Sequence, residues 1–189
     1  MLKILIINGH PDLDHSVSNK TIINTVLLLA DENNCSSDIE LRSLAKLYPD
    51  YKIDKKAEQK ALLNADIIVL QFPFFWYSVP AILKLWIDTV LEYGFAYGKI
   101  GNKLHGKKLL LSLTTGGPED AYSESGRNHY QITDLLRPLI QTSNLIGTQF
   151  LEPIVCFGMP NIPGIDSNHE IIAAKAVEHA QKLYKIITK

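Results

Sequence analysis

Apolar runs recur along the chain at lengths that suit buried strands. Lys3 to Asn8 (KILIIN), closed by Gly9, has no polar alternation, the pattern of a strand buried on both faces. Asp66 to Phe72 (DIIVLQF) repeats it. Lys107 to Thr115 (KKLLLSLTT) and Thr148 to Phe157 (TQFLEPIVCF) read as two more strands, and Asp38 to Leu44 (DIELRSL) alternates as a more exposed one. Between the strands lie segments of helical length: Thr21 to Glu32, Asp54 to Ala65, Pro80 to Gly94, Ile132 to Gly147 and Ser167 to Thr188. Asp54 is placed to cap its helix, with Ala57, Ala61 and Leu62 on one face. Pro80 suits a first turn and Gly94 a stop, Pro138 predicts a kink, and Ser167 with Glu170 predicts a capping box.

Strands that alternate with helices imply an α/β fold with a parallel sheet. Five strands fit a flavodoxin-like sheet of order 2-1-3-4-5 with helices on both faces, expected here as a single domain over residues 1–189. Ligands of such sheets bind beyond the carboxyl ends of the strands, where the strand order reverses. The longest irregular segments follow strands one, three and four, so the unusual loops fall where a ligand is expected.

Composition narrows the function classes. The chain has 189 residues, 46% hydrophobic and 21% charged, with a formal net charge of -1. No basic cluster suggests a nucleic-acid partner. Cys35 and Cys156 have no metal spacing and read as idle thiols, so no metal site is expected. The apolar N-terminal stretch is too short for a signal peptide and no apolar run approaches the roughly 20 residues of a membrane helix, so a cytoplasmic protein is expected.

The loops carry the candidate chemistry. GHPDLDHSVSNK, after strand one, has no Gly-rich dinucleotide or P-loop pattern. Ser16, Ser18 and Asn19 stand at a helix start, where hydroxyls, an amide and free N–H groups can bind phosphate; one of them can equally serve only as a cap. His10 either faces that phosphate or is a loop histidine. After strand three, FPFFWYSVPA holds five aromatics in the six positions Phe72 to Tyr77. Phe72 reads as core. Trp76 and Tyr77 lie past Pro73, beyond the strand end, and suit a wall against a flat conjugated ring. After strand four, TTGGPEDAYSESGRNHY brings Gly116 and Gly117, which let backbone approach a ligand or simply turn. His169 and His179 read as solvated on the last helix.

These stretches together resemble the flavodoxin-like NAD(P)H:quinone oxidoreductases. The resemblance rests on GHP with S-x-S-N, the segment from Trp76 to Gly98, TTGG, and LYPDYKID (Leu47 to Asp54). It is nearest the bacterial ancillary oxidoreductases of glutathione-gated potassium efflux systems and the general stress protein type. It implies a bound flavin, FMN or FAD, reduced by NADPH or NADH and reoxidised by a quinone in a two-electron ping-pong cycle. By position, His10, Ser16, Val17, Ser18 and Asn19 would hold the flavin phosphate region. Phe74, Phe75, Trp76 and Tyr77 would line the ring, and Thr114, Thr115, Gly116 and Gly117 would approach its other polar edge. Tyr122 matches a family tyrosine near flavin and substrate. Where the animal enzymes carry a relay histidine this chain has Asn128, with His129 one residue later as the candidate. The lack of the animal enzymes' C-terminal extension favours FMN. The resemblance also implies a homodimer, expected independently from an apolar surface around Trp86 and Phe95, and an association with a potassium efflux membrane protein. Two alternatives stand beside the enzyme: a regulatory ancillary subunit of that transporter, and a one-electron carrier, which the near-neutral charge disfavours.

Overall fold

The structure is a computed structural model that describes residues 2–160 and 168–189. Its strands are β1 (Ile4–Asn8), β2 (Ile39–Ser43), β3 (Ile67–Pro73), β4 (Lys108–Thr114), β5 (Gln149–Phe150) and β6 (Ile154–Cys156). Its helices are α1 (Val17–Glu32), α2 (Leu44–Leu47), α3 (Lys55–Asn64), α4 (Ala81–Val90), α5 (Ile132–Leu135), α6 (Arg137–Ile146) and α7 (His169–Ile187). All strand pairs are parallel, in the order β2-β1-β3-β4-β5, with β6 also on β4. The flavodoxin-like order predicted from the element pattern is the one observed. No helix among the described residues is long and apolar enough to cross a membrane.

The fifth strand position is split. Lys108 pairs with Gln149 but Ser112 with Ile154, so the register advances by one residue between β5 and β6. That is a bulge, and Pro153, which has no N–H to give the ladder, lies in it. Ile132 to Gly147 likewise divides at Leu136, two residues ahead of the proline expected to kink it, with Pro138 in the first turn of α6. The first helix starts four residues earlier than predicted, because Ser16 caps it by accepting from Asn19 N–H at 3.1 Å. The last helix is capped by Asn168, whose side chain accepts from Ile171 N–H; Ser167 of the expected capping box lies outside the described residues.

Alternate residues of the buried strands feed two cores. Leu5, Ile7, Ile68, Leu70, Leu109 and Leu111 pack against α3, α4 and α6. Ile4, Ile6, Val69 and Leu110 pack against α1 and α7. Trp86 and Phe95 are themselves buried in the first core, and the apolar side chains left exposed near Phe95 are Tyr93, Tyr97 and Ile100. The four donors that surround Glu58 explain part of this burial. Arg42 donates to its Oε1 from Nε (2.7 Å) and Nη2 (2.6 Å), Tyr48 from its hydroxyl (2.5 Å), and Trp86 Nε1 to Oε2 (2.7 Å). The carboxylate thereby joins β2, α3 and α4. Removing one partner from such a buried pair typically costs about 3–5 kcal/mol.

On the α1/α7 face the apolar row Ile6–Val69–Leu110 gives way, two residues on, to a buried polar row, Asn8–Gln71–Ser112. Ser112 Oγ lies 2.6 Å from His179 Nε2 on α7. His179 is therefore buried, not solvated as its helical setting predicts; His169 is exposed. Burial, aided by the charge of Lys182, lowers the His179 pKa from 6.5 to about 4. The unfolded chain thus binds a proton between those values that the folded chain refuses, and stability falls with pH there. We expect a loss of about 3 kcal/mol between pH 6.5 and 4 from this group. Urea unfolding across that range, compared with His179→Gln, reads it: the variant's curve should lack this component, and identical pH slopes would refute it.

Candidate functional site

The carboxyl ends of β1, β3 and β4 open into a cleft of about 670 Å³, within the size range of cofactor pockets. Three loops build it. In the first, Gly9 N–H donates to Gln71 O at 2.9 Å, and a Cβ on Gly9 would stand 2.7 Å from Leu83 Cβ. Only glycine lets α4 press this close to the end of β1. The chain then turns through a short 3-10 segment, Leu13–His15, into α1.

The start of α1 faces the cleft with Ser16, Ser18 and Asn19, all buried. The N–H groups of its first turn have no partners within the helix, apart from Asn19 N–H, which Ser16 takes. His10 is half-buried, and burial lowers its pKa below 6.5, against the opposing pull of Asp12. Its Nδ1 accepts from Asp12 N–H at 3.0 Å. The neutral ring therefore carries its proton on Nε2 and is a donor there. This end of the cleft offers hydroxyl, imidazole and peptide donors, a set suited to a phosphate.

The second loop is a strained turn. Trp76 and Tyr77 both have positive φ, +48° and +62°. Phe75 bridges Ser78, and Ser78 N–H donates to Phe75 O at 3.0 Å. Two left-handed residues inside such a bridge make a two-residue turn of the kind that favours Asn-Gly. Bulky side chains occupy it instead. They project Trp76 into solvent, 92% exposed at the cleft rim, with Phe75 edge-on to His10 at 6.2 Å.

In the third loop Thr114 and Gly116 line the cleft. Thr115 is buried and donates to Gly117 O at 2.8 Å, so it braces the turn. Tyr122 packs behind Gly117, 3.4 Å from where a Cβ would stand, and against Phe157 with ring centroids 5.5 Å apart. Burial raises its pKa above 10, partly offset by Thr115 and Arg127.

His10, Ser16, Ser18, Asn19, Phe74, Phe75, Trp76, Thr114 and Gly116 are thus brought together at the cleft. Val17, Tyr77, Thr115, Gly117, Tyr122 and His129 are not among its lining residues. Val17 turns into the second core. Tyr77 donates to Asn128 Oδ1 at 3.1 Å, joining the second loop to the third. His129 is exposed, with φ +60°. Pro73, Arg127, Met159 and Pro160 also line the cleft. Of these only Arg127 carried a readable signal, a cation in the loop after TTGG.

Replacing Trp76-Tyr77 by Asn-Gly tests the strain. We expect the ligand-free protein to gain about 1–2 kcal/mol in urea unfolding, since bulky left-handed residues are disfavoured by about that much. Unchanged or lower stability would show that the turn is not strained.

The model of a family described as having a flavodoxin-like fold matches residues 2–183. General stress protein 14 of Bacillus subtilis (strain 168) is 42% identical over 96% of this chain and 98% of its own length. The uncharacterized NAD(P)H oxidoreductase YrkL of the same organism is 43% identical, over 83% and 86%. The glutathione-regulated potassium-efflux system ancillary protein KefF of Enterobacter sp. (strain 638) is 44% identical, over 79% and 80%. Among solved structures, general stress protein 14 of Treponema denticola in complex with FMN superposes with a TM-score of 0.84 at 29% identity, covering 98% of this chain and 99% of that one. An NADPH-quinone reductase from P. pentosaceus gives a TM-score of 0.77 at 26% identity, over 96% and 97%.

Proposed function

The chain belongs to the flavodoxin-like fold family, and from that premise we propose that it is an FMN-dependent NAD(P)H oxidoreductase that reduces quinone-like acceptors. One observation carries the reading: a single cleft at the strand ends joins a helix N-terminus rich in neutral donors to a projecting aromatic turn. The FMN-bound relative and the NADPH-quinone reductase likeness support the same chemistry.

The residues fit FMN. Ser16, Ser18, the free N–H groups of the first turn of α1 and the Nε2–H of His10 would hold its phosphate. Phe74, Phe75 and Trp76 would lie along the ring, and the Gly116 backbone would meet its polar edge. A bound flavin supplies hydride acceptance from the dinucleotide and two-electron delivery to the acceptor. The protein's part would be to orient that ring through these side chains and to leave room beside it in the cleft for each partner in turn. Tyr122, packed behind Gly117, holds the turn in place.

The purified protein should show an oxidised-flavin absorption spectrum that bleaches on adding NADPH or NADH and recovers with a quinone. Ser18→Asp should repel the phosphate and lower flavin content at least tenfold while circular dichroism stays native. Full flavin content in a folded Asp variant would overturn this placement of the phosphate. A colourless wild-type protein that takes up no added FMN would overturn the function. The likeness to the efflux ancillary protein supports a second role, docking on a membrane transporter. Recovery of the native protein with the membrane fraction, lost on removing the transporter, is its expected sign; recovery in the soluble fraction alone would remove that role.

A further inference from the structure

Among the described residues that line the cleft, Arg127 is the one ionised side chain. No carboxylate is among those lining residues; no hydrogen bond or ion pair engages Arg127 among the described residues, and its charge acts on the nearby Tyr122 phenol. Its placement is built. The segment before it closes on itself through Gly126 N–H to Ser123 O (3.1 Å) and Asn128 N–H to Ala121 O (2.9 Å). A Cβ on Gly126 would stand 2.3 Å from Asp120 O, so glycine alone permits the closure. The Tyr77–Asn128 hydrogen bond ties the next residue to the aromatic turn. Arg127 Nη2 stands 3.8 Å from where a Gly117 Cβ would be. The exposed guanidinium thus lines the cleft from the third loop, beside Gly117, while the neutral donors that suit a phosphate lie on the first loop.

On the oxidoreductase reading two anions must share this cleft, the flavin phosphate and the phosphates of the dinucleotide. Like charges repel, and the chain's net charge of -1 offers no general attraction. The second anion needs a cation at the rim, and a guanidinium fork matches phosphate in geometry. We propose that Arg127 is the specificity residue for the reductant: it receives a phosphate of the incoming dinucleotide and makes the site select phosphate-bearing dihydronicotinamides. The phosphate is either the diphosphate shared by NADH and NADPH or the 2′-phosphate of NADPH.

The test uses FMN-loaded wild type, Arg127→Gln and Arg127→Lys with a saturating uncharged quinone. The reductants are NADH, NADPH and reduced nicotinamide riboside, which has no phosphate. Arg127→Gln should raise KM about tenfold for dinucleotides, the scale of one lost charge-assisted hydrogen bond. KM for the riboside, all kcat values, flavin content and the flavin midpoint potential should not change, and Arg127→Lys should recover part of the loss. A rise for NADPH alone assigns the 2′-phosphate; an equal rise for both assigns the diphosphate. Unchanged KM values, an equal rise for the riboside, or a shift in flavin content or potential overturns the proposal. Wild-type protein bleached by none of the three reductants sinks the oxidoreductase reading and this inference with it; bleaching with unchanged KM values sinks this inference alone.

Discussion

One buried amide holds the cleft together. Asn19 is 1% exposed, and every polar atom of its side chain is engaged. Its Nδ2 donates to Thr114 Oγ1 (3.0 Å) and Ser18 Oγ (3.3 Å), and its Oδ1 accepts from Gln71 Nε2 at 2.8 Å. Its backbone N–H meets Ser16 Oγ. Through this residue the first turn of α1 is fixed to the ends of β3 and β4. Losing it would strand buried polar groups on both strands, each at about 1–3 kcal/mol. The orientation of the helix N-terminus, and so the direction of its free N–H groups, follows from that side chain. The arrangement leaves one group unserved: Gln71 Oε1 is buried without a partner among the described residues.

Against this fixed frame stands a turn that works the other way. The frame is satisfied, buried and close-packed, as Gly9 against Leu83 shows. The turn at Trp76–Tyr77 holds two bulky residues in left-handed geometry and exposes one almost completely. Neither feature helps a ligand-free chain fold. Such outliers persist where surrounding structure over-determines them. Here the Phe74 N–H to Thr114 O bond (2.8 Å) and the Phe75–Ser78 bridge supply that support. The aromatic wall is therefore held by bonds to β4, the same strand that Asn19 engages.

Much of this was legible in the sequence, for a clear reason. Strands buried on both faces must be apolar at every position, so KILIIN and DIIVLQF declared themselves, and their number and spacing led to the sheet order. The loops after strands one, three and four were legible because their composition departs from what a connection needs. The failures share a cause. His179 and Trp86 owe their environments to partners far along the chain, Ser112 for the first and Glu58 for the second. Helical periodicity scores each residue by its own neighbours and cannot see such a partner. Arg127 escaped notice for a related reason: a polar loop does not say which of its exposed side chains stands at the cleft, and that follows from the closure at Gly126.

The division of labour between the two ends of the cleft follows from the kind of charge each uses. A helix N-terminus attracts an anion through dipoles that act only within the first turn. It binds what is seated there and exerts little pull on a ligand still in solvent. A guanidinium is a full charge whose reach is limited by salt screening at about 8–10 Å. It can meet a ligand at the rim before docking is complete. Neutral donors around Ser16 and Ser18 thus suit an anion that stays, and Arg127 suits one that enters and leaves each cycle. A second cation beside the helix would blur that distinction by drawing the transient ligand toward the permanent one's seat. Among its described lining residues the first-loop end of the cleft carries no Lys or Arg, as the oxidoreductase reading requires if one opening is to serve two anions.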